Sequence, residues 1–158
     1  MERKEYTLIL HNVRSAHNVG AIFRTADAAG INKIYLTGYT PAPVDRFGKP
    51  RPDIAKTALG AETAIFWEYR KTLAPVLRLL RKEHTSLIAI EQSPRSEDYK
   101  KVKVPPRAAF IVGNEVRGLS PRLLAQCDIV AEIPMRGKKE SLNVSVAAGI
   151  ALFRILGI

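Results

Sequence analysis

Residues 108–120 read AAFIVGNEVRGLS, an unbroken apolar run followed by a polar loop. The run from Ala108 to Val112 is typical of a strand that is buried on both faces, as in a parallel sheet. Ser120 and Pro121 then predict the start of a short helix, because proline is favoured at the first helical position. This strand, loop and helix indicate an α/β protein.

The same alternation of apolar runs and helical patterns extends along the rest of the chain. Further strands are predicted over residues 6–10, 33–37, 65–67, 87–90 and 129–133. Helices are predicted from Asn18 to Gly30, from Thr72 through Leu80, and from Asn143 to the end, and residues 39–53 and 91–107 are predicted loops. The length of 158 residues is close to the most common size of one domain, so a single domain over residues 1–158 is predicted, without a further domain at either end. Its sheet should be mostly parallel, with helices on both faces.

Basic residues dominate the charge of the chain. Lys and Arg number 25 against 15 Asp and Glu, which gives a formal net charge of +10. Such a surplus favours a polyanionic partner, and nucleic acid first, because phosphate contacts supply most of the energy of non-specific binding. A basic protein without such a partner is the alternative.

Signals for disulfides, metals and membranes are sparse. The single cysteine, Cys127, excludes an internal disulfide and is interpreted as a small core residue, because it follows an apolar stretch. Three scattered histidines offer no zinc spacing, so no metal is expected. There is no signal-peptide pattern, and the longest apolar segment, 142–158, is interrupted by Asn143 and Arg154. A cytoplasmic protein without a membrane span is predicted.

The helix predicted at the C-terminal end is apolar on nearly every side. Its apolar residues are Val144, Val146, Ala147, Ala148, Ile150, Ala151, Leu152, Phe153, Ile155, Leu156 and Ile158. A helix that is apolar all round must be covered all round. The sheet of the same chain can cover one side, and a second subunit is the simplest cover for the other. The pattern therefore predicts a homodimer through this helix.

Three polar stretches lie where strands end or helices begin. They are Asn12–Arg24 (NVRSAHNVGAIFR), Val112–Ser120 (VGNEVRGLS) and Ile133–Ala147 (IPMRGKKESLNVSVA). Ligands of open α/β sheets bind beyond the carboxyl ends of the strands, so these stretches are candidate site loops. Helix caps, a plain turn and a solvated arginine are the alternative explanations. None is a P-loop or a dinucleotide-binding fingerprint, so the residues alone name no reaction.

Taken together, the three stretches resemble the three motifs of the SpoU (TrmH-type) RNA 2′-O-ribose methyltransferases, in the SPOUT superfamily. The first match is NVGAIFRTA from Asn18 to Ala26, which includes Arg24, the second is Ile111–Glu115 with Gly118-Leu119, and the third is Ile133–Met135 with Ser141–Ser145. Their order and separation fit, and the similarity spans essentially the whole chain. The resemblance implies a SPOUT-type α/β knot, in which the C-terminal part forms a deep trefoil knot.

The resemblance also implies that S-adenosyl-L-methionine is the methyl donor, held by three loops of the knotted part. The residues of this chain that match the donor pocket are Gly113, Ile133, Leu142, Ala89, Ile90, Glu91, Asn114 and Met135. Backbone groups of these loops are expected to hold the adenine and the ribose of the donor.

The catalytic arginine of the family matches Arg24, which is proposed to assist deprotonation of the ribose 2′-hydroxyl that attacks the donor methyl. Because arginine stays protonated in proteins, Arg24 is alternatively interpreted as binding a phosphate and stabilising the developing alkoxide. Asn18, Glu115, Ser141 and Asn143 match the supporting polar residues, which are expected to orient Arg24, the ribose and the loops. In the family the site is completed across a dimer, so Arg24 and the donor pocket are expected to come from different subunits.

RNA is expected to bind the surface of the core itself, with tRNA ahead of rRNA. The candidate contacts are Arg14, Lys56, Arg117, Arg136, Lys138 and Lys139, together with Arg46, Lys49 and Arg51 of the predicted loop 39–53, which contains four prolines and is called the proline-rich loop. A solvated charge is the alternative interpretation of each. Two other functions remain open, a base methyltransferase of the same superfamily and a non-catalytic RNA-binding module.

Overall fold

The computed structural model describes residues 1–158 and contains one seven-stranded sheet. Its strands are β1 (Glu5–His11), β2 (Lys33–Thr37), β3 (Phe66–Arg70), β4 (Ser86–Ile90), β5 (Glu97–Asp98), β6 (Arg107–Val112) and β7 (Ile129–Glu132). Their order across the sheet is β3-β2-β1-β6-β4-β7-β5, and every neighbouring pair is parallel. The predicted parallel sheet is therefore confirmed.

Helices connect the strands and cover both faces of the sheet. They are α1 (Ala16–Ala28), α2 (Pro52–Ala58), α3 (Ala61–Ala64), α4 (Ala74–Lys82), α5 (Pro121–Leu124) and α6 (Val144–Leu156), with a 3₁₀ turn at Tyr99–Lys101. Residues of α1, α2, α3 and α6 share one core with the sheet, and residues of α4 and α5 share the other. None of these helices is both long enough and apolar enough to span a bilayer.

Alternate residues of the central strands supply the two cores. In β1, Leu8 and Leu10 belong to the core under α1 and α6, whereas Ile9 belongs to the core under α4 and α5. In β6, Phe110 and Ile111 divide in the same way, and all of these side chains are fully buried. Side chains of a strand point alternately to opposite faces, so an unbroken apolar run is what a sheet covered on both faces requires.

The register of the sheet places the candidate site loops at one edge. Leu10 of β1 pairs with Val112 of β6, and Ile90 of β4 pairs with Ala131 of β7. These four residues lie at or next to the carboxyl ends of their strands. Because parallel strands end on the same side, the loops that follow them leave the sheet side by side.

Helix α1 begins earlier than the sequence pattern predicts. Its N-cap is Ser15, and Ser15 Oγ accepts a hydrogen bond from the backbone N–H of Asn18 at 3.2 Å. The interpretation of Asn18 as the start of the helix is therefore wrong. Asn18 lies in the first turn and is 6% exposed. A buried side-chain amide requires hydrogen-bond partners, and the Asn18 side chain finds them in other loops.

Several loop and cap predictions are wrong in detail. Helix α2 begins at Pro52, inside the predicted loop 39–53, because proline is compatible with the first turn of a helix. Helix α3 follows it, and the predicted loop 91–107 contains β5 and the 3₁₀ turn. Thr72 does not cap α4, which Leu73 precedes without a side-chain hydrogen bond. The proline content of residues 39–53 therefore led to the prediction of a loop at the start of a short helix that tertiary packing stabilises.

Gly20 allows α1 and α2 to pack closely. A β-carbon at this position would lie 2.0 Å from Thr57 Oγ1 and 2.4 Å from the carbonyl oxygen of Ile54. The hydroxyl of Thr57 also donates a hydrogen bond to the carbonyl oxygen of His17 at 2.9 Å. No side chain fits here, so packing between the helices accounts for this glycine.

Cys127 lies in the core under α4 and α5, as the sequence predicts. Burial raises the pKa of its thiol to about 11, so the protonated form dominates at neutral pH. No group of three or more His, Cys, Asp or Glu side chains is arranged to hold a metal ion.

Candidate functional site

A cavity of about 280 Å³ lies at the carboxyl edge of the sheet, among the loops that follow β4, β6 and β7. Most residues that match the family's donor pocket line it, namely Ile90, Glu91, Gly113, Asn114, Ile133, Met135 and Leu142. Glu115 and Ser141, which match supporting polar residues, line it as well. Three loops that are distant in sequence therefore meet around one cavity.

Ala89 is the exception among the residues that match the donor pocket. Its side chain is fully buried in the core under α4 and α5, on the opposite face of β4 from Ile88 and Ile90. This follows from the alternation of side chains along a strand. The structure does not place the Ala89 side chain at the cavity.

Several residues at the cavity have backbone N–H groups without a partner in the chain, and Gly113, Ile133 and Leu142 are among them. Gly113, Ile133 and Leu142 all line the cavity, and their N–H groups donate no hydrogen bond to another residue. Backbone donors in folded proteins are nearly always satisfied, by water or a ligand where the protein supplies no acceptor. Together with the apolar side chains of Ile90 and Leu142, these groups suit a ligand that is partly apolar and rich in acceptors.

Gly113 has a steric role in shaping the loop after β6. A β-carbon at this position would lie 2.6 Å from Cδ2 of Leu119 and 2.8 Å from the carbonyl carbon of Gly118. The chain therefore folds back on itself here with no room for a side chain. The return of the loop therefore accounts for a glycine at this position.

Glu91 joins the loop after β4 to the loop after β6. Its Oε2 accepts a hydrogen bond from the backbone N–H of Leu119 at 2.9 Å, and its Oε1 accepts one from the N–H of Gln92 at 2.8 Å. The same carboxylate packs against Gly118, where a β-carbon would lie 2.3 Å from Oε2. Gly118 also has a φ of 63°, which favours glycine. Glu91 thus shapes a wall of the cavity.

Glu115 binds the start of α1 to the loop after β6. Its Oε1 accepts a hydrogen bond from the N–H of Arg14, and its Oε2 accepts one from the N–H of Ser15, both at 2.8 Å. The side chain of Asn18 donates to Oε2 at 3.4 Å. Burial favours the neutral acid, but these hydrogen bonds favour the anion and the net pKa of Glu115 is lowered. Glu115 is therefore an ionised acceptor at neutral pH.

Asn18 and Asn143 complete a chain of hydrogen bonds across all three motifs. The Nδ2 of Asn143 donates to Oδ1 of Asn18 at 3.1 Å. The Oδ1 of Asn143 accepts from the N–H of Ser145 at 2.8 Å and of Val146 at 3.3 Å, which caps α6. The capping interpretation of Asn143 is therefore correct, and the same side chain also ties α6 to α1. We call the set Glu115, Asn18 and Asn143 the polar clasp.

The loop before α6 is held by its neighbours but keeps one free hydroxyl. Gln92 Nε2 donates a hydrogen bond to the carbonyl oxygen of Glu140 at 2.7 Å. Ser141, the next residue, is exposed at the cavity, and its hydroxyl forms no hydrogen bond within the chain. Ser141 thus presents an available donor and acceptor to a ligand.

Asn114 organises the turn after Gly113. Its Oδ1 accepts hydrogen bonds from the N–H groups of Val116 and Arg117, each at 2.9 Å. Its Nδ2 donates to the carbonyl oxygen of Asn12 at 3.1 Å and to the hydroxyl of Tyr39 at 2.9 Å. The turn-forming tendency of asparagine was the only sequence signal for this role, and nothing in the sequence pointed to Tyr39.

Arg24 lies apart from the cavity in the single chain. It is exposed on α1, next to a surface depression that also includes Lys56, Thr57, Leu59 and Phe153. It forms no ion pair, and its guanidinium forms no hydrogen bond within the chain. The side chain of Asn18 contacts Glu115 and Asn143, and it forms no hydrogen bond with Arg24. One chain therefore does not bring Arg24 to the cavity.

The predicted RNA-binding residues fall into three exposed groups. Arg14 and Arg117 flank the loop after β6, Lys56 lies beside Arg24, and Arg136, Lys138 and Lys139 occupy the loop that follows β7. In the proline-rich loop, Arg46 stacks on Phe47 with 4.8 Å from Cζ to the ring centre, and Lys49 is exposed. Arg51 is ion-paired with Asp53 at 2.7 Å, so it is less available to phosphate than the other basic residues.

Comparison with known proteins gives the family of this chain. The family model described as "SpoU rRNA Methylase family" matches residues 5–153. The chain is 35% identical over 145 residues to the 23S rRNA (guanosine-2'-O-)-methyltransferase RlmB of Neisseria meningitidis serogroup B, across 92% of this chain and 55% of that protein. This chain spans little more than half the length of the curated relatives that it matches.

Solved structures of related enzymes share the fold. The A. aeolicus TrmH/SpoU tRNA modifying enzyme superposes with a TM-score of 0.83 at 29% identity, over 99% of this chain and 76% of that chain. The AdoMet-bound rRNA methyltransferase from Sinorhizobium meliloti gives a TM-score of 0.85 at 30% identity, over 98% of this chain and 57% of that chain. Since the family model covers nearly the whole sequence, the chain belongs to the SpoU rRNA Methylase family.

Proposed function

We propose that this protein transfers a methyl group from S-adenosyl-L-methionine to the 2′-hydroxyl of a ribose in RNA. The observation that carries the proposal is the cavity at the carboxyl edge, where unpaired backbone N–H groups of Gly113, Ile133 and Leu142 converge from two motifs. The related rRNA methyltransferase from Sinorhizobium meliloti, with the same fold, is AdoMet-bound. The sequence, the cavity and the family therefore favour the same donor.

The residues of the cavity fit the proposed donor. Apolar side chains of Ile90, Ile133 and Leu142 suit the faces of an adenine, and the free backbone groups suit its ring nitrogens and the ribose hydroxyls. S-adenosyl-L-methionine supplies an electrophilic methyl group on a positively charged sulfur. The polar clasp and Glu91 hold the loops in place before the donor binds, which reduces the ordering cost of binding.

Arg24 is the residue proposed to act on the RNA. A guanidinium stays protonated, so Arg24 binds a phosphate next to the target ribose and stabilises negative charge that develops on the 2′-oxygen. The 2′-oxygen would lose its proton to solvent and form the new O–C bond to the methyl group while the sulfur–methyl bond of the donor breaks, which leaves S-adenosylhomocysteine. Ser141 lines the cavity, and its free hydroxyl is proposed to orient the ribose.

We infer that the active form is a homodimer in which Arg24 approaches the cavity of the second copy. The apolar face of α6 is incompletely covered, since Val146, Ile150 and Phe153 are 48%, 39% and 37% exposed. Phe153 shares its surface depression with Arg24, so a partner that covers this face also reaches Arg24. Light scattering at micromolar concentration is expected to give the mass of a dimer, and a monomeric mass would refute the inference.

A deep trefoil knot in the C-terminal part is proposed as the reason that the three loops meet. The strand order supports it: β6 lies between β1 and β4, although β4 and β5 precede it in the chain. Helix α6 packs against α1 and against the 3₁₀ turn, and that turn belongs to the long connection from β4 to β6. Such a path makes the cavity depend on chain crossing as well as on local sequence.

Labelled methyl transfer tests the proposed function. The protein is incubated with labelled donor and with tRNA or rRNA, and the product is digested to nucleosides. A 2′-O-methylated nucleoside is the expected result, whereas a base-methylated nucleoside or tight RNA binding without transfer would contradict the proposal. We propose tRNA as the first substrate to test, as for the A. aeolicus tRNA modifying enzyme, with 23S rRNA as the second arm because the RlmB relatives act on it.

A further inference from the structure

Tyr39 is an exposed aromatic residue that is nevertheless held at both ends. Its side chain lies in the loop after β2 and the residue is 57% exposed. The backbone N–H of Tyr39 donates a hydrogen bond to Oδ1 of Asn12 at 3.1 Å, and its hydroxyl accepts one from Nδ2 of Asn114 at 2.9 Å. Exposed side chains ordinarily retain rotamer freedom, so this arrangement fixes a ring that faces solvent.

The turn that carries Tyr39 is itself rigid. Asn12 has a φ of 58° and Gly38 a φ of 66°, both in the left-handed region. A β-carbon on Gly38 would lie 1.8 Å from Oδ1 of Asn12, so only glycine fits. The hydroxyl of Tyr69 donates to the carbonyl oxygen of Gly38 at 2.8 Å. The loop therefore presents the Tyr39 ring in one orientation.

A basic cleft surrounds the Tyr39 ring and borders the proposed donor cavity. It has a volume of about 700 Å³ and is lined by Arg14, Tyr39, Asn114, Glu115, Val116 and Arg117. Asn114, Glu115 and Val116 also line the donor cavity, so the two sites share a wall. Val116 is 93% exposed and adds an apolar surface between them.

We propose that this cleft, the Tyr39 cleft, binds the base of an unpaired nucleotide of the RNA substrate, beside the ribose that is methylated. The proposal rests on the proposed function. Proteins bind unpaired RNA by stacking bases on aromatic rings while arginines contact the flanking phosphates, and a fixed exposed ring beside two arginines has that composition. The substrate class is therefore RNA with an unpaired target, such as a loop, and Tyr39 selects for it without reading a particular base.

Binding of a fluorescein-labelled oligouridylate, followed by anisotropy, tests the Tyr39 cleft. Tyr39→Leu is expected to weaken binding by about 5- to 150-fold, the range that corresponds to loss of one stacked base. Tyr39→Trp keeps a ring and is expected to bind within about threefold of the unchanged protein. Phe66→Leu is the control, because Phe66 is 81% exposed at the other end of the sheet and should have no effect.

Photochemical crosslinking gives the position of the base directly. An oligouridylate that contains 5-iodouridine is expected to crosslink to the peptide that carries Tyr39. A crosslink confined to other peptides, equal binding by Tyr39→Leu and the unchanged protein, or no binding of the oligonucleotide at all would overturn the inference. Thermal unfolding and binding of S-adenosyl-L-methionine should not change in Tyr39→Leu, which separates loss of stacking from loss of structure.

Different experimental results would exclude the proposed function and the proposed role of the Tyr39 cleft. If the unchanged protein transfers no methyl group to tRNA or rRNA, the proposed function fails, and the inference that depends on it falls with it. If it transfers methyl groups and Tyr39→Leu has the same KM for RNA, only the Tyr39 cleft is excluded. The expected result is methyl transfer with a raised KM for RNA and an unchanged KM for the donor.

Discussion

The carboxyl edge of the sheet and the outer face of α1 and α6 carry the two halves of the proposed site, and they differ in completeness. At the edge, Glu115, Asn18 and Asn143 are hydrogen-bonded to one another and to backbone groups. On the outer face, Arg24 has no polar partner and Phe153 remains partly exposed. The polar groups of the first half find their hydrogen-bond partners within one chain. The second half combines an unpaired arginine with exposed apolar side chains, as in a surface that another molecule covers.

The largest expected effect comes from Arg24, on the incomplete half. Arg24→Ala should lower kcat/KM for methyl transfer by about 10²- to 10³-fold, as when a group that stabilises a developing oxyanion is removed. Binding of S-adenosyl-L-methionine by calorimetry should be unchanged, because Arg24 does not line the cavity of its own chain. Arg78→Ala, an exposed arginine on α4, is the control. Loss of donor binding would instead make Arg24 a structural residue.

A charge in the apolar face of α6 tests whether a second copy covers it. Phe153→Asp should produce a monomer by light scattering, because an unpaired carboxylate would have to be buried in the interface. Methyl transfer should fall with the dimer, whereas donor binding should persist. Leu79→Asp on α4 is a matched control, since Leu79 is 42% exposed on the other face of the sheet. A dimeric Phe153→Asp variant would contradict the proposed interface.

The complete half should respond in stability. Glu115→Ala leaves the N–H groups of Arg14 and Ser15 and the amide of Asn18 without an acceptor. The free energy of unfolding in urea should fall by about 1–3 kcal/mol, the cost of unsatisfied polar groups. Glu2→Ala, at the exposed N-terminal end, should change it little. An unchanged stability in Glu115→Ala would show that the polar clasp does not hold the loops.

The smallest expected effect is a dependence of stability on pH. Burial raises the pKa of Glu115, but the hydrogen bonds that its carboxylate accepts lower the pKa by more. The pKa of Glu115 in the folded protein therefore lies below the ordinary value of 4.5. A depressed carboxyl pKa contributes stability that is present above the unfolded pKa and is lost as pH falls through the folded pKa. The free energy of unfolding should therefore drop more for the unchanged protein than for Glu115→Gln between neutral pH and pH below 4.5. Parallel pH curves would exclude this contribution.

Much of the fold could be predicted because it follows from strong apolar patterns. The runs of β4 and β6 are buried on both faces, and α6 is apolar on more sides than its own sheet covers. The same periodicity indicates that the side chain of Ala89 faces the opposite core from those of Ile88 and Ile90, so that only its backbone is left for the predicted contact with the donor.

Other features depend on contacts between distant residues, so no local pattern indicates them. Gly20 is explained by the close approach of α2, and Tyr39 is fixed by Asn12 and Asn114 from two other loops. Short helices such as α2 begin at a proline that also suits a loop. The three polar stretches could be named from the sequence, but their joining into the polar clasp required the topology of the sheet.

Subunit mixing tests most directly whether the methyl-transfer site combines the cavity of one copy with Arg24 of the other. Arg24→Ala and Leu142→Arg, which places a long charged side chain in the cavity, should each be inactive alone. After unfolding and refolding together with different tags, the mixture should regain about a quarter of the activity of the unchanged protein, because half of randomly paired dimers contain one intact site. If purified mixed dimers remain inactive, or if Arg24→Ala alone is fully active, the site is not divided in this way.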